Sequence, residues 1–144
     1  MKTYRKWAEK VSALKDLPLL FMRLALAYGY YGPASMKWKD IHSVGDWFVQ
    51  LQIPMPYVSA YLVAITEAVG VVLLTLGLYV RYITIPLMFS MVVAIITVHW
   101  ANGFEASNNG FEIPLYYLLM LFVLLVFGAG RISVDYFLER KPKR

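Results

Sequence analysis

Residues 57–79, YVSAYLVAITEAVGVVLLTLGLY, form a stretch of twenty-three residues whose only charged side chain is Glu67. A helix rises about 1.5 Å per residue, so about 20 apolar residues cross a hydrocarbon layer about 30 Å thick. The stretch therefore predicts a membrane-spanning helix. Ile53-Pro54-Met55-Pro56 before it cannot continue a helix, and Gly77 with Arg81 marks a tight turn after it.

Working outward, similar segments recur at about 17–36, 82–101 and 112–127. Pro18 suits the first turn of a helix, where its missing N–H has no partner to lose. Gly128-Ala129-Gly130-Arg131 closes the fourth segment. Residues 37–56 are a polar connection carrying Lys37, Lys39, Asp40, His42 and Asp46, and 102–111 is a loop rich in Asn and Gly. In residues 1–16, Tyr4, Trp7, Val11 and Leu14 recur at helical spacing with basic residues around the other face, the pattern of a helix lying in a membrane interface. Ala25-Leu26-Ala27 mimics a signal-peptide cleavage site, but the apolar run before it is short, holds Arg23 and continues past the site. The expected architecture is all-α: an interfacial amphipathic helix over 1–16, an integral membrane four-helix bundle over 17–130, and a basic tail over 131–144.

Composition agrees with lipid as the solvent. The chain has 144 residues, 60% hydrophobic and 16% charged, with a mean hydropathy of +0.57. Soluble domains average about 45–50% apolar and about 25% charged. The net charge of +5 lies between and beyond the apolar segments, not on one face, so nucleic acid is excluded as a partner. Of 14 Lys and Arg, eleven fall on one side of the four segments, only Lys37 and Lys39 on the other, and Arg23 within a segment. Positively charged loops stay inside, which puts both ends in the cytoplasm. There is no cysteine, which removes disulfides, thiolate chemistry, iron–sulfur ligation and covalent haem attachment. Any redox role needs an external cofactor or a redox-active substrate.

Ionisable residues inside the apolar segments are the candidate site. A charge at bilayer depth costs at least about 2.5–3.5 kcal/mol, so such groups face the protein interior and have partners. Arg23 lies roughly 9 Å from one edge and Glu67 roughly 15 Å from the other, which predicts an Arg23–Glu67 pair near the midplane. His99 and Glu112 sit near the outer surface with Lys37 close by. Glu67 shares a face with Ala60, Ala64, Val71 and Leu74, beside Gly70, and small residues at this spacing let helices approach closely. Two readings of the pair stay open, an inter-helix clamp and a proton- or ligand-binding site. His99 is either a hydrogen-bonded interfacial residue or a proton donor, quinone-head partner or metal ligand. Glu112 either exchanges protons or complements a helix dipole. Met36, Met55 and His99 are the candidate ligands for a copper ion, with His42 a loop residue of no special role and Met88 and Met91 packing residues.

A set of short motifs links these segments. They are Arg23-Leu24-Ala25-Leu26, LQIPMP over 51–56, Glu67-Ala68-Val69-Gly70, Leu76-Gly77-Leu78 with Arg81, Val98-His99-Trp100, Gly110-Phe111-Glu112-Ile113-Pro114-Leu115, and Gly128-Ala129-Gly130-Arg131-Ile132-Ser133-Val134-Asp135. In order and spacing they resemble the DoxX family of small four-helix membrane proteins. His99-Trp100-Ala101-Asn102-Gly103-Phe104 and Asn109-Gly110-Phe111-Glu112 resemble its HvfX-like subgroup, found with copper-binding modified peptides. The resemblance implies a bundle in the bacterial cytoplasmic membrane, linked to respiratory or sulfur redox chemistry, quinone handling and oxidative stress. It carries Arg23, Glu67, His99 and Glu112 over as the polar positions. The expected function is a redox-associated subunit that binds a quinone-like molecule between helices, working with other membrane or redox subunits and able to form oligomers. The rivals are a non-enzymatic accessory in copper-peptide maturation or export, and a structural assembly factor.

Overall fold

The computed structural model describes residues 2–139. Among these every regular element is helical: α1 (Lys2–Ser12), α2 (Asp16–Lys39), α3 (Ile41–Gln50), α4 (Pro56–Leu76), α5 (Val80–Ala94), α6 (Glu112–Phe127) and α7 (Val134–Glu139). Of the basic tail expected over 131–144, residues 140–144 lie outside the described residues, as does Met1 of the N-terminal segment.

Helix α4 begins where the proline-rich connection ends, with Pro56 in its first turn. It stops at Gly77, which adopts the left-handed conformation (φ +68) while the Leu78 N–H donates to the Leu73 carbonyl at 3.0 Å. A side chain at Gly77 would also meet the Arg23 guanidinium 2.3 Å away, so glycine is required there twice over. The next helix, α5, starts at once. Its first N–H groups are capped from far along the chain: the Asp135 carboxylate accepts from Tyr79 N at 2.8 Å and Val80 N at 3.2 Å.

Helix α5 does not end at Ala94 but runs on through a π turn, Ile95–His99, and a 3₁₀ turn, Trp100–Asn102. The Trp100 N–H reaches back five residues to the Ile95 carbonyl. Counted through these turns, Val80–Asn102 is 23 residues long, and with α4 (21 residues) it is long and apolar enough to cross a membrane. Helix α6 is equally apolar but shorter, at 16 residues. Only 28% and 22% of the two longer apolar stretches is buried within the protein, whereas the core helix of a soluble protein is mostly buried. Phe21, Leu62, Ile65, Phe89, Ile96, Phe122 and Val126 all stand exposed. So much outward-facing apolar surface needs an apolar solvent.

Helix α2 packs on α4, α4 on α5, α5 on α6, and α6 back on α2. The seam they enclose holds Leu26, Tyr30, Leu74, Val80, Leu87, Leu121 and Leu124. Asp16, Arg131 and Asp135 gather at one end, together with the α4–α5 turn; this is called the terminal end below. The connections 40–55 and 100–111 lie at the opposite, distal end.

Two segments differ from the sequence reading. The polar connection after α2 contains helix α3, whose Gly45 and Phe48 are buried where it packs on α4. Asp40 caps it by accepting from Ser43 N at 3.1 Å, and Tyr57 of α4 donates to Asp46 at 2.5 Å. After α6 the chain folds back instead of leaving, with Asp135 N donating to the Gly77 carbonyl at 3.0 Å, and then forms α7.

Candidate functional site

Glu67 is presented by the buried face of α4, together with Ala60, Ala64, Gly70 and Leu74. Gly70 lies against Leu87 of α5, while the group that meets the carboxylate comes from α2 and is Lys37, not Arg23. The Lys37 ammonium lies 2.8 Å from Oε2 and 3.0 Å from Oε1 of Glu67, donating to both oxygens. The Glu67 side chain is 5% exposed and that of Lys37 is 18%, so the pair is closed toward the core and open toward the distal end. A bifurcated, charge-assisted contact of this kind is among the strong hydrogen bonds.

The expected Arg23–Glu67 pair is therefore corrected. In antiparallel helices, moving up α2 from Arg23 means moving down α4 from Leu74, so the residue that meets Glu67 lies further along α2. Depth counted along each helix separately ignores this register. Arg23 works at the terminal end. Its guanidinium donates to the Leu74 carbonyl at 3.1 Å and to the Ile132 carbonyl, within electrostatic reach of Asp135. It binds the C-terminal turn of α4 to the segment that follows α6, a helix-joining role.

Two turns of α2 before Lys37 lies Tyr30, a fully buried residue whose hydroxyl has no hydrogen-bond partner. Tyr117 of α6 meets it edge-on, ring centroids 5.5 Å apart. The Tyr117 hydroxyl sits over Gly29, where a Cβ would come within 1.8 Å of it. Tyr117 of α6 thus leans on α2 beside Tyr30. A buried hydroxyl left unpaired costs about 1–3 kcal/mol.

His99 and Glu112 do not meet each other. His99 Nδ1 lies 2.8 Å from the Asn109 carbonyl, which also accepts from the Asn102 side-chain amide at 3.2 Å. Glu112 accepts from Ala106 N at 3.0 Å and from the Tyr116 hydroxyl at 3.1 Å. Both residues fold the distal connection onto itself, with Trp100 stacked on Phe111 at 5.3 Å and Phe104 edge-on to the same ring. Among the described residues no group of three or more His, Asp or Glu side chains is placed to hold a metal ion, and Met36 and Met55 are exposed.

Lys37 and Tyr30 lie beside Glu67, and the helix face they share was present in the sequence. Arg23, Ala27, Tyr30, Ala34 and Lys37 alternate at spacings of four and three, which puts them on one face of α2. Four of the five are buried and Lys37 nearly so.

Residues 18–100, more than half of the chain, match the DoxX family. The chain belongs to the DoxX family. The matched region contains Arg23, Tyr30, Lys37, Glu67 and His99 and stops short of Glu112. An uncharacterized protein of Haemophilus influenzae is 26% identical over 130 residues, covering 85% of this chain and 83% of that protein. No solved structure matches this DoxX protein. Membership of the DoxX family, together with the outward-facing apolar helices, makes this a membrane protein.

Proposed function

We propose that this protein is a redox-associated membrane subunit that binds a quinone head group between α2 and α4, beside the Lys37–Glu67 pair. The observation that carries the reading is a buried, closely bonded ion pair with the unpartnered Tyr30 hydroxyl beside it. A quinone needs hydrogen-bond donors at its carbonyl oxygens, and an ammonium and a phenol supply them. A shallow groove of about 270 Å³ on the outer seam of the same two helices, lined by Leu24, Ala27, Tyr28, Tyr31, Val71 and Thr75, offers the apolar tail a path from the lipid.

Reducing a quinone to its quinol takes two electrons and two protons. This chain has no cysteine, so in this reading the electrons come from a partner redox subunit while Glu67 and Tyr30 hand on protons. The proposed topology is four crossings of a bacterial cytoplasmic membrane with both ends inside, supported by the eleven-to-two distribution of basic residues. In it the exposed apolar face of α1, with Tyr4, Trp7 and Val11, rests in the interface.

The test is to extract the protein from its membrane in mild detergent and identify co-purifying quinones by mass spectrometry. Wild type should retain quinone in amounts approaching one per chain, and Glu67→Gln and Tyr30→Phe should retain several-fold less. If wild type and Glu67→Gln behave alike and neither holds quinone, the reading is wrong.

A further inference from the structure

At the terminal end, far from Glu67, the starts of α2 and α5, the end of α6 and helix α7 enclose a cleft of about 870 Å³. Its rim carries three cations, Lys15, Arg81 and Arg131, all exposed. Its floor is apolar, with Leu19, Met22 and Val123, and it continues onto the exposed side chain of Phe127 at the lipid-facing surface. We propose that this cleft binds one anionic phospholipid, the phosphodiester held at Lys15 and Arg81 and an acyl chain lying along Met22 and Phe127.

The charge balance of the rim decides the sign of the ligand. Asp16, Asp135 and Glu139 also line the cleft. Asp135 accepts from the backbone N–H groups of Tyr79 and Val80, and its charge is offset by the buried Arg23 guanidinium within electrostatic reach behind it. Asp16 accepts from Arg131 N at 2.9 Å and pairs with the Arg131 side chain at 3.7 Å, so these two neutralise each other. Lys15 and Arg81 remain, opposed only by Glu139, and the sequence after Glu139 runs Arg-Lys-Pro-Lys-Arg.

Arg81 is suited to a phosphate. One of its N–H groups donates to the Val126 carbonyl at 3.1 Å, and a guanidinium has five to offer, so its other edge is available for two parallel bonds. A polar rim over an apolar floor is the shape of a lipid and not of a free phosphate. Recognition of this kind, a basic pocket between helices at the membrane surface, is a general route to anionic lipid binding.

Native mass spectrometry of the full chain in detergent, titrated with dioleoyl phosphatidylglycerol or dioleoyl phosphatidylcholine, tests the proposal. Wild type should take up one phosphatidylglycerol at concentrations where phosphatidylcholine does not bind. A basic side chain near such a head group contributes about 5-fold, so Lys15→Gln should weaken phosphatidylglycerol about 5-fold and Lys15→Gln/Arg81→Gln about 25-fold. Lys15 is exposed and makes no helix-capping bond, so the single variant keeps the test valid if loss of Arg81 unfolds the α6 terminus. Lys39→Gln at the distal end should bind as wild type does. Equal uptake of the two lipids, an unchanged Lys15→Gln, or displacement of the lipid by equimolar glycerol 1-phosphate would each overturn the proposal.

Discussion

Removing the ammonium from the Lys37–Glu67 pair should cost more than removing the carboxylate. In Lys37→Met, Glu67 stays behind with a 5% exposed side chain and no counter-ion. Breaking a buried pair this way costs about 3–5 kcal/mol, because one uncompensated charge remains in the low-dielectric interior. In Glu67→Gln the survivor is Lys37, already 18% exposed and carried on a four-carbon stem near the distal end of α2. It can turn outward to water, so the loss is confined to about 1.5–3 kcal/mol, the worth of a charged hydrogen bond. Replacing both partners, Lys37→Met with Glu67→Leu, leaves no buried charge, and stability should return to within about 1 kcal/mol of wild type. Reversible unfolding by SDS in mixed lipid micelles reads all three values on one scale. The reasoning fails if Glu67→Gln costs as much as Lys37→Met. It also fails if a cycle built on Arg23→Met and Glu67→Gln shows coupling above about 0.5 kcal/mol, since groups that share no contact should add.

Three further outcomes follow from local geometry. Gly77→Ala combines a left-handed backbone with a contact on Arg23 and should cost at least about 1–3 kcal/mol in the same unfolding assay. Asp135→Ala removes the cap from α5 and should destabilise by about 1–2 kcal/mol, with faster hydrogen exchange at the amides of Tyr79 and Val80 as the local signature. Gly29→Ala places a methyl group on the Tyr117 hydroxyl and should cost about 1–3 kcal/mol, relieved when Tyr117→Leu is added.

The long helices were legible because lipid leaves no ambiguity about an apolar run. Residues 112–127 match α6 at both ends, and the other three segments differ by a few residues from α2, α4 and, with its π and 3₁₀ turns counted, α5. Helix α3 was missed because its buried face is small. Ile41, Val44, Gly45 and Phe48 fall at helical spacing, but Lys39, Asp40, His42 and Asp46 around them resemble a loop. Chemistry at single positions was harder to see. The four residues picked for their charge are at three levels of the protein, because inter-helix register depends on where each turn closes. Tyr30 went unremarked for a different reason. A tyrosine in an apolar helix usually belongs to the membrane interface, and only packing reveals one whose hydroxyl is buried. The π turn at Ile95–His99 has no sequence mark at all; it is visible only in the five-residue reach of Trp100 N.

The bonds of Arg23 have a consequence for how the protein is made. Its acceptors are the carbonyls of Leu74, 51 residues later, and Ile132, 109 residues later. Chains are synthesised at about 5–20 residues per second, so Arg23 is complete for roughly 5–20 s before its second acceptor exists. Until Leu74 is made the guanidinium of the first long helix has neither of these acceptors, and from Leu74 to Ile132 it has only one of the two. The segment after α6 therefore completes the bonding of the first long helix, and a nascent chain stalled before Ile132 leaves that guanidinium one acceptor short.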